Sequence, residues 1–386
     1  MINNTQRMKI RCPICGSEEI KTEEFGFREI NHATFQPAKD GNKTLQIHQC
    51  KCCMHIFKIF NKQESDEKNE YMKTKQYESN TSKETNSLAK GSALSKRTRF
   101  QAEWISRLEE QNKSKSGGIL DYGCNEGDLL KALKEYSGIT SREYFGFDVV
   151  QRGSFSKKSG DAIFIDNLEG LADGSLDVIC ISHSLIYEKK PIQAIKTATE
   201  KLSDKGFIWF QNPNPKRCSI YLLGDQYNFF QAASSKRLFE SFGLNLYELR
   251  PEDDSNEMIL VASKQETKTL RATKEEFVAI EDIKVEMESI RNRLALQIKT
   301  TGSHINIFGR TSSAALICQI LGKQAATIVD ESKNEYNTFY NKPVINDFNE
   351  IGTGNCLIIP MYANTEGLVK RVTEKRPDIH ISTIKC

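Results

Sequence analysis

The stretch ILDYGCNEGDLL, Ile119 to Leu130, decides how this chain folds. An apolar run ends on Asp121, the chain passes Gly123 and Gly127, and a helical pattern begins at Leu129. Glycine at these two places permits positive φ and a close approach of backbone to a ligand. Strand, glycine turn and helix in that order open an α/β unit, and such units bind ligands outside the carboxyl ends of their strands. The spacing is D-x-G-x-x-x-G, which departs from the G-x-G-x-x-G of nicotinamide dinucleotide enzymes.

Downstream, YFGFD ends the next strand on Asp148, about twenty residues past Gly127, where a carboxylate can accept both hydroxyls of a ribose. AIFID ends a third strand on Asp166, followed by Asn167, and an acceptor there suits the exocyclic amine of adenine. GLADGSLDVICISHSLIYEKKP supplies a fourth strand and a loop holding His183 and Tyr187. KPIQAIKTATEKL, GFIWFQNP, LNLYELR and EMILVASK continue the alternation. The pattern predicts a doubly wound α/β domain with a mostly parallel sheet. The succession resembles the class I S-adenosylmethionine (AdoMet) methyltransferases. That resemblance implies AdoMet as cofactor, with Asp121, Gly123, Asn125, Gly127, Asp148, Asp166 and Asn167 as its contacts.

Upstream lies a cysteine pattern. CPICG carries Cys12 and Cys15, CKCC carries Cys50, Cys52 and Cys53, and thirty-four residues separate Cys15 from Cys50. Two C-x2-C knuckles turn four thiolates toward one ion and predict a closed, structural zinc site on Cys12, Cys15, Cys50 and Cys53. A segment of about 60 residues has a small core, so metal binding would supply folding free energy. Cys52 is then a spare thiol or an alternate ligand, and His48 and His55 read as ordinary strand residues. The other six cysteines are scattered and read as structural.

Composition narrows the classes. The chain has 386 residues, 38% hydrophobic and 27% charged, with a net charge of +3 and a pI of about 8.2. That balance, with no basic stripe, predicts no nucleic-acid partner. No apolar run nears the roughly 20 residues of a membrane span, so no membrane partner is expected. MINNTQRMKI lacks a signal segment, and eleven cysteines without one suggest a reducing compartment; a cytoplasmic location is expected.

Five segments follow: a zinc-binding module over 1–62, a polar linker over 63–95 containing Tyr71 and Tyr77, the methyltransferase core over 96–263, a connecting helix within 264–300, and a Rossmann-like unit over 301–386. The connecting helix is predicted over about 272–299, with Phe277, Ile280, Met287, Ile290, Leu294 and Ile298 as a core-facing stripe. In the last unit, FGRTSSAAL could cradle a phosphate at a helix N-terminus through Arg310, Ser312 and Ser313, or could belong to a degenerate unit that only closes the pocket.

In order, CPICG…CKCC, YESNTS, ILDYGCNEG and INIFGRTSSAALICQIL…ATIVDES…KPVIND resemble the nucleotide-sugar C-methyltransferase family over most of the chain. The resemblance implies a zinc module, a central AdoMet domain and a C-terminal Rossmann-like domain, with a nucleotide-linked sugar between the last two. It makes Tyr77 a candidate substrate contact; Gln226 and Asn228, with Arg310 and Ser312 of the FGRTSSAAL turn, are further candidates. The family's Glu-His pair removes a proton beside a ketone. Here Asp225 and Gln226 occupy that place, Tyr187 replaces the usual histidine after the fourth strand, and RPEDDSNEMIL replaces a Gly-rich turn. Gln226 cannot act as a base, which leaves Asp225, His183 and Tyr187 as the candidate catalytic groups. C-methylation and O- or N-methylation both stay open, as does an AdoMet-binding relative without catalysis.

Overall fold

The computed structural model of the chain describes residues 9–31, 37, 44–60, 96–112, 116–139, 141–149, 162–249, 256–267, 269–301, 304–331, 337–361 and 365–386. Tyr71, Tyr77 and the YESNTS stretch lie outside the described residues.

At the N-terminus, β1 (Ile20–Arg28), β2 (Thr44–Cys50) and β3 (Ile56–Phe57) pair antiparallel. Their fourth partner comes from far along the chain: β9 (Asn228–Phe229) pairs with β3, with Phe57 opposite Asn228. This union has no signature in the sequence, because a two-residue strand carries no periodicity to read.

The central domain contains α1 (Lys96–Asn112), β4 (Gly118–Tyr122), α2 (Asp128–Ser137), β5 (Tyr144–Phe147), β6 (Ile163–Ile165) and β7 (Leu176–Ser182). It continues with α3 (Pro191–Lys201), β8 (Leu202–Pro213), α4 (Ala232–Glu240), β10 (Asn245–Glu248), β11 (Glu257–Ser263) and β12 (Arg271–Ala272). The strand order is β12-β10-β11-β8-β7-β4-β5-β6. The five strands from β8 to β6 run parallel, and β11 enters antiparallel beside β8. β7, LDVICIS, is buried on both faces, as a central parallel strand must be. Val178, Cys180, Phe207 and Trp209 meet α1 and α2 on one face. Ile179, Ile181, Ile208 and Phe210 meet α3 and α4 on the other, and Cys12, Cys50, Cys53 and Phe57 join that second cluster. The cysteine end of the N-terminal module is thus packed onto the central domain.

The connecting helix α5 is Ile280–Thr301, which starts later than its sequence pattern predicts. Three side-chain and backbone bonds hold the preceding chain extended. Ala233 N–H donates to the Glu276 carbonyl (3.1 Å), Val278 N–H to Gln231 Oε1 (2.5 Å), and Ile280 N–H to Gln49 Oε1 (2.9 Å). Phe277 is therefore exposed and outside the stripe. Ile280, Met287, Ile290 and Leu294 are buried, joined by Ile283, and Ile298 packs at the edge.

The C-terminal unit comprises β13 (Ile305–Phe308), α6 (Ser312–Leu321), β14 (Ala325–Val329), β15 (Thr338–Phe339), β16 (Lys342–Ile345), β17 (Cys356–Pro360), α7 (Glu366–Lys375) and β18 (His380–Ile384). Its order, β15-β16-β14-β13-β17-β18, is a parallel Rossmann-like sheet with an antiparallel edge hairpin. One buried cluster joins α5, α6, the N-terminal sheet and Cys218–Leu223 of the central domain. No helix among the described residues is long and apolar enough to cross a membrane.

Candidate active site at the strand tips

β4 and β5 run side by side with Tyr122 opposite Phe147. Just past them, the N–H groups of Gly123 and Cys124 both donate to the Phe147 carbonyl, at 2.7 and 3.0 Å. The turn then takes φ of 84° at Gly123, 50° at Asn125 and 82° at Gly127. Gly123 is fixed twice over: a Cβ there would fall 2.4 Å from the Cβ of Ser184, whose Oγ donates to the Tyr122 carbonyl at 2.7 Å. Asn125 N–H donates to Asp148 Oδ2 at 2.9 Å, and Asn125 Oδ1 has no hydrogen-bond partner. Gly127 is the N-cap of α2 and offers no side-chain cap. The first N–H groups of α2 therefore open toward the turn.

Asp121 is buried beneath this turn. Burial, reinforced by the nearby Asp148 charge and opposed by Arg97, pushes its carboxyl up to about 7. Asp166 and Asn167 stand exposed at the end of β6, where Asn167 Oδ1 accepts the Glu169 N–H at 3.0 Å. The seven residues expected around a cofactor thus lie along the tips of three adjacent strands. The Gly123 cradle and the unmatched Asn125 Oδ1 suit an adenosine-type ligand.

The loop after β7 lies on the other side of β4. Ser182 Oγ accepts hydrogen bonds from Arg97 Nη2 (3.0 Å) and Gln101 Nε2 (2.9 Å). His183 has φ of 55°, and its Nε2 lies 2.5 Å from Glu257 Oε2. Burial would raise the Glu257 carboxyl, but His183, with Arg97 and Arg217, outweighs it and holds the group below the usual range. Tyr187 ends a short 3-10 turn and is half-buried. Tyr122 Oη donates to Glu188 Oε1 at 2.8 Å, tying this loop to β4.

Asn228 is buried, and its amide is used within the protein. Nδ2 donates to the carbonyls of Glu188 (2.6 Å) and Leu185 (3.4 Å), and Oδ1 lies 3.0 Å from His55 Nε2. His55, which the sequence suggests is an ordinary strand residue, is a joint. Its Nδ1 lies 3.3 Å from Ser234 Oγ, its ring stacks near Phe57, and burial pushes its pKa down to about 4, against the Asn228 bond. A chain of bonds therefore runs from the N-terminal module through Asn228 to the loop over the cofactor turn. Asp225 is half-buried beside it, and Gln226 is buried with Oε1 lacking a hydrogen bond. The adjoining Lys58–Glu29 ion pair (3.0 Å) is buried, and Lys58 Nζ also donates to the Leu223 carbonyl (2.9 Å).

The C-terminal candidates are drawn into packing. Arg310 Nε donates to Asp330 Oδ2 at 2.7 Å. Ser312 and Ser313 are buried, with Oγ atoms 3.3 and 3.0 Å from Ser219 Oγ of the central domain.

The four cysteines converge. The Sγ atoms of Cys12, Cys15, Cys50 and Cys53 all lie within 4.8 Å of one another, with Cys12–Cys53 and Cys15–Cys50 at 3.5 Å. A tetrahedral zinc with Zn–S bonds of about 2.3 Å sets its sulfurs about 3.8 Å apart, so the cluster has the right size. Ile14 N–H points at Cys12 Sγ and Cys52 N–H at Cys50 Sγ, each at 3.4 Å, which is how knuckle backbones support thiolates. Cys52 itself is exposed.

Sequence reasoning passed over Arg97, Glu188, Glu257 and Asn212, which are spread over α1, a loop, β11 and β8 and share no motif.

Residues 93–249 match a family model described as a methyltransferase domain. They form a class I methyltransferase domain of the S-adenosylmethionine-dependent fold, and the protein is an enzyme of the methyltransferase class. No curated protein sequence matches the chain. Among solved structures it is similar to a SAM-dependent methyltransferase from Archaeoglobus fulgidus, at 17% identity over 43% of this chain and 93% of that one, with a TM-score of 0.34. It is also similar to the plantazolicin methyltransferase BamL, solved with a triazolic desmethylPZN analog and SAH, at 14% identity over 53% and 97% with a TM-score of 0.41. A third is the CurJ carbon methyltransferase, at 14% identity over 44% and 54% with a TM-score of 0.36.

Proposed function

We propose that the protein methylates a nucleotide-linked sugar or a related glycan precursor, using AdoMet held at the tips of β4, β5 and β6. The observation that carries the cofactor half is the Gly123–Gly127 turn, with Asn125 tied to Asp148 and Asn125 Oδ1 left unmatched. Bound AdoMet supplies an electrophilic methyl carbon on a sulfonium centre. Asp148 accepts the ribose hydroxyls, and Asp166 with Asn167 receives the adenine edge. Gly123 lets the backbone approach the ligand, and Asp121 sets the charge beneath the turn.

The acceptor half rests on the three-part order of the chain and on the groups gathered around the loop after β7. His183, oriented by Glu257, and Tyr187 follow β7 on the side of β4 away from Asp148, and Asp225 is the third candidate. An acceptor there would lose a proton to one of these groups as its oxygen, nitrogen or carbon takes the methyl. Gln226 and the packed Asn228 shape that side, and Tyr77 remains a candidate contact. Arg310 and Ser312 support the docking of the last domain in this reading. Zinc on the four thiolates is structural, since four protein ligands leave no open position.

Calorimetry with S-adenosylhomocysteine tests the cofactor: micromolar binding by the intact protein is expected, and its absence removes the reading. Incubation with ketosugar nucleotides in heavy water separates the chemistries. Deuterium entering a carbon beside the ketone marks proton abstraction, and its absence directs the reaction to oxygen or nitrogen. An Asp225→Asn variant with full turnover removes Asp225 as the base.

A further inference from the structure

Asn212 lies near the end of β8, in FQNPNP, one residue past Gln211, which faces Ser182 of β7. On its other side it pairs with Met258 of β11. It is thus level with His183, at the same end of the sheet as the cofactor turn. Side chains alternate along a strand, so Asn212 shares the face of Ile208 and Phe210. Gln211 points the other way, its Oε1 taken by Gln101 (2.8 Å) and Trp209 (3.1 Å).

Asn212 is 1% exposed, and neither its Oδ1 nor its Nδ2 has a hydrogen-bond partner. Other buried amides show how unusual that is. Gln49, Gln231 and Asn306 each bond through both ends of the amide. Burying a polar group without a partner is costly, and proteins keep such a group where a ligand completes it. Strand order supplies the location. β8 is separated from β4 by β7 alone, on the side away from β5 and Asp148. A methyl acceptor must stand on that side if the adenosine lies along β4, β5 and β6.

We propose that Asn212 recognises the methyl acceptor, donating from Nδ2 to one oxygen and accepting at Oδ1 from a hydroxyl on the neighbouring carbon. The chemical class is a sugar presenting a hydroxyl beside a carbonyl or beside a second hydroxyl. The proposal rests on the methyltransferase reading above. Gln226, buried with Oε1 unmatched, lies on the segment that returns to the same loop, where the N–H of its neighbour Tyr227 donates to the Ile186 carbonyl at 2.9 Å.

The test uses the full chain with S-adenosylhomocysteine bound, and two probes: uridine diphosphate glucose, which presents vicinal hydroxyls, and its 4-keto-6-deoxy derivative, which presents a hydroxyl beside a carbonyl. The complex is expected to bind at least one of them. Asn212→Leu keeps the volume and removes both polar atoms. It should weaken probe binding at least about tenfold, leave S-adenosylhomocysteine affinity within about twofold, and leave the melting temperature unchanged or higher. Asn212→Asp accepts but does not donate. It should lose the keto probe and retain the diol, which identifies the group recognised. Unchanged probe affinity in Asn212→Leu overturns the proposal, as does a lowered melting temperature, which marks a structural amide. Failure of the loaded wild-type complex to bind either probe also overturns it. If S-adenosylhomocysteine itself does not bind, it is the methyltransferase reading that fails.

Discussion

The chain contains two versions of one turn. In the central domain Gly123 N–H donates to Phe147 of the neighbouring strand at 2.7 Å, with φ of 84°. In the C-terminal unit Gly309 N–H donates to Val329 of its neighbouring strand at 2.8 Å, with φ of 79°. An aspartate stands at the tip of that neighbouring strand in both, Asp148 and Asp330. From there they diverge. α2 begins at Gly127 with no side-chain cap, and Asn125 Oδ1 is unmatched. α6 begins at Thr311, whose Oγ1 accepts the Ala314 N–H at 3.2 Å, and Ser312 and Ser313 close on Ser219. Asp330 accepts from the Arg310 side chain, which occupies its Oδ2. A βα turn binds a ligand only if the protein leaves its polar groups available. Around the second turn, Arg310, Thr311, Ser312 and Ser313 are engaged within the protein.

The largest effect should come from the module that steadies the first turn through His55 and Asn228. Elemental analysis should find one zinc per chain in the wild type and none in a Cys53→Ser variant. Structural zinc contributes about 10 kcal/mol or more to folding in small modules. The N-terminal sheet, and with it the His55–Asn228 joint, should therefore melt before the C-terminal unit in hydrogen exchange.

The next largest concerns Asp121. Its folded pKa of about 7 lies above the unfolded value near 4. Its contribution is therefore fully present below about pH 4 and is lost as the pH rises through about 7. Asp121→Asn should be more stable than wild type by roughly 2–4 kcal/mol at pH 8, the gap shrinking toward pH 4 in denaturant titrations. A gap that stayed constant with pH would show that Asp121 ionises normally.

Asp148→Ala should weaken S-adenosylhomocysteine binding by about 2–3 kcal/mol, the scale of hydrogen bonds to a charged group. Arg310→Ala should leave that affinity within about twofold, because its guanidinium serves the other turn. Equal losses in the two variants would erase the distinction between the turns. The smallest effect belongs to Ser219→Ala, about 1 kcal/mol of stability from unmatched hydroxyls, with cofactor affinity untouched.

The legible parts of the fold were those with a local physical signature. β4, β7 and the FIWF centre of β8 are rich in apolar residues because both faces are buried, and the Gly123–Gly127 turn follows from backbone sterics. The C-x2-C knuckles bring each cysteine pair together through local turns, so the convergence of four thiols was readable at long range in sequence. Phe277 misled because it fits the helical period, yet Gln49 and Gln231, distant in sequence, hold that stretch extended.

By itself, the sequence determined the α/β alternation, the four-thiolate cluster and the turn that approaches a cofactor, since each depends on neighbours within a few residues or on a repeated local motif. Only the tertiary structure decided that β9 belongs to the N-terminal sheet, that His55 and Asn228 form a joint, that the Ser312 and Ser313 hydroxyls close on Ser219, and that Asn212 is buried without a partner. Those outcomes depend on which polar groups meet across domains, and hydrogen bonding between distant residues leaves no periodicity in the chain.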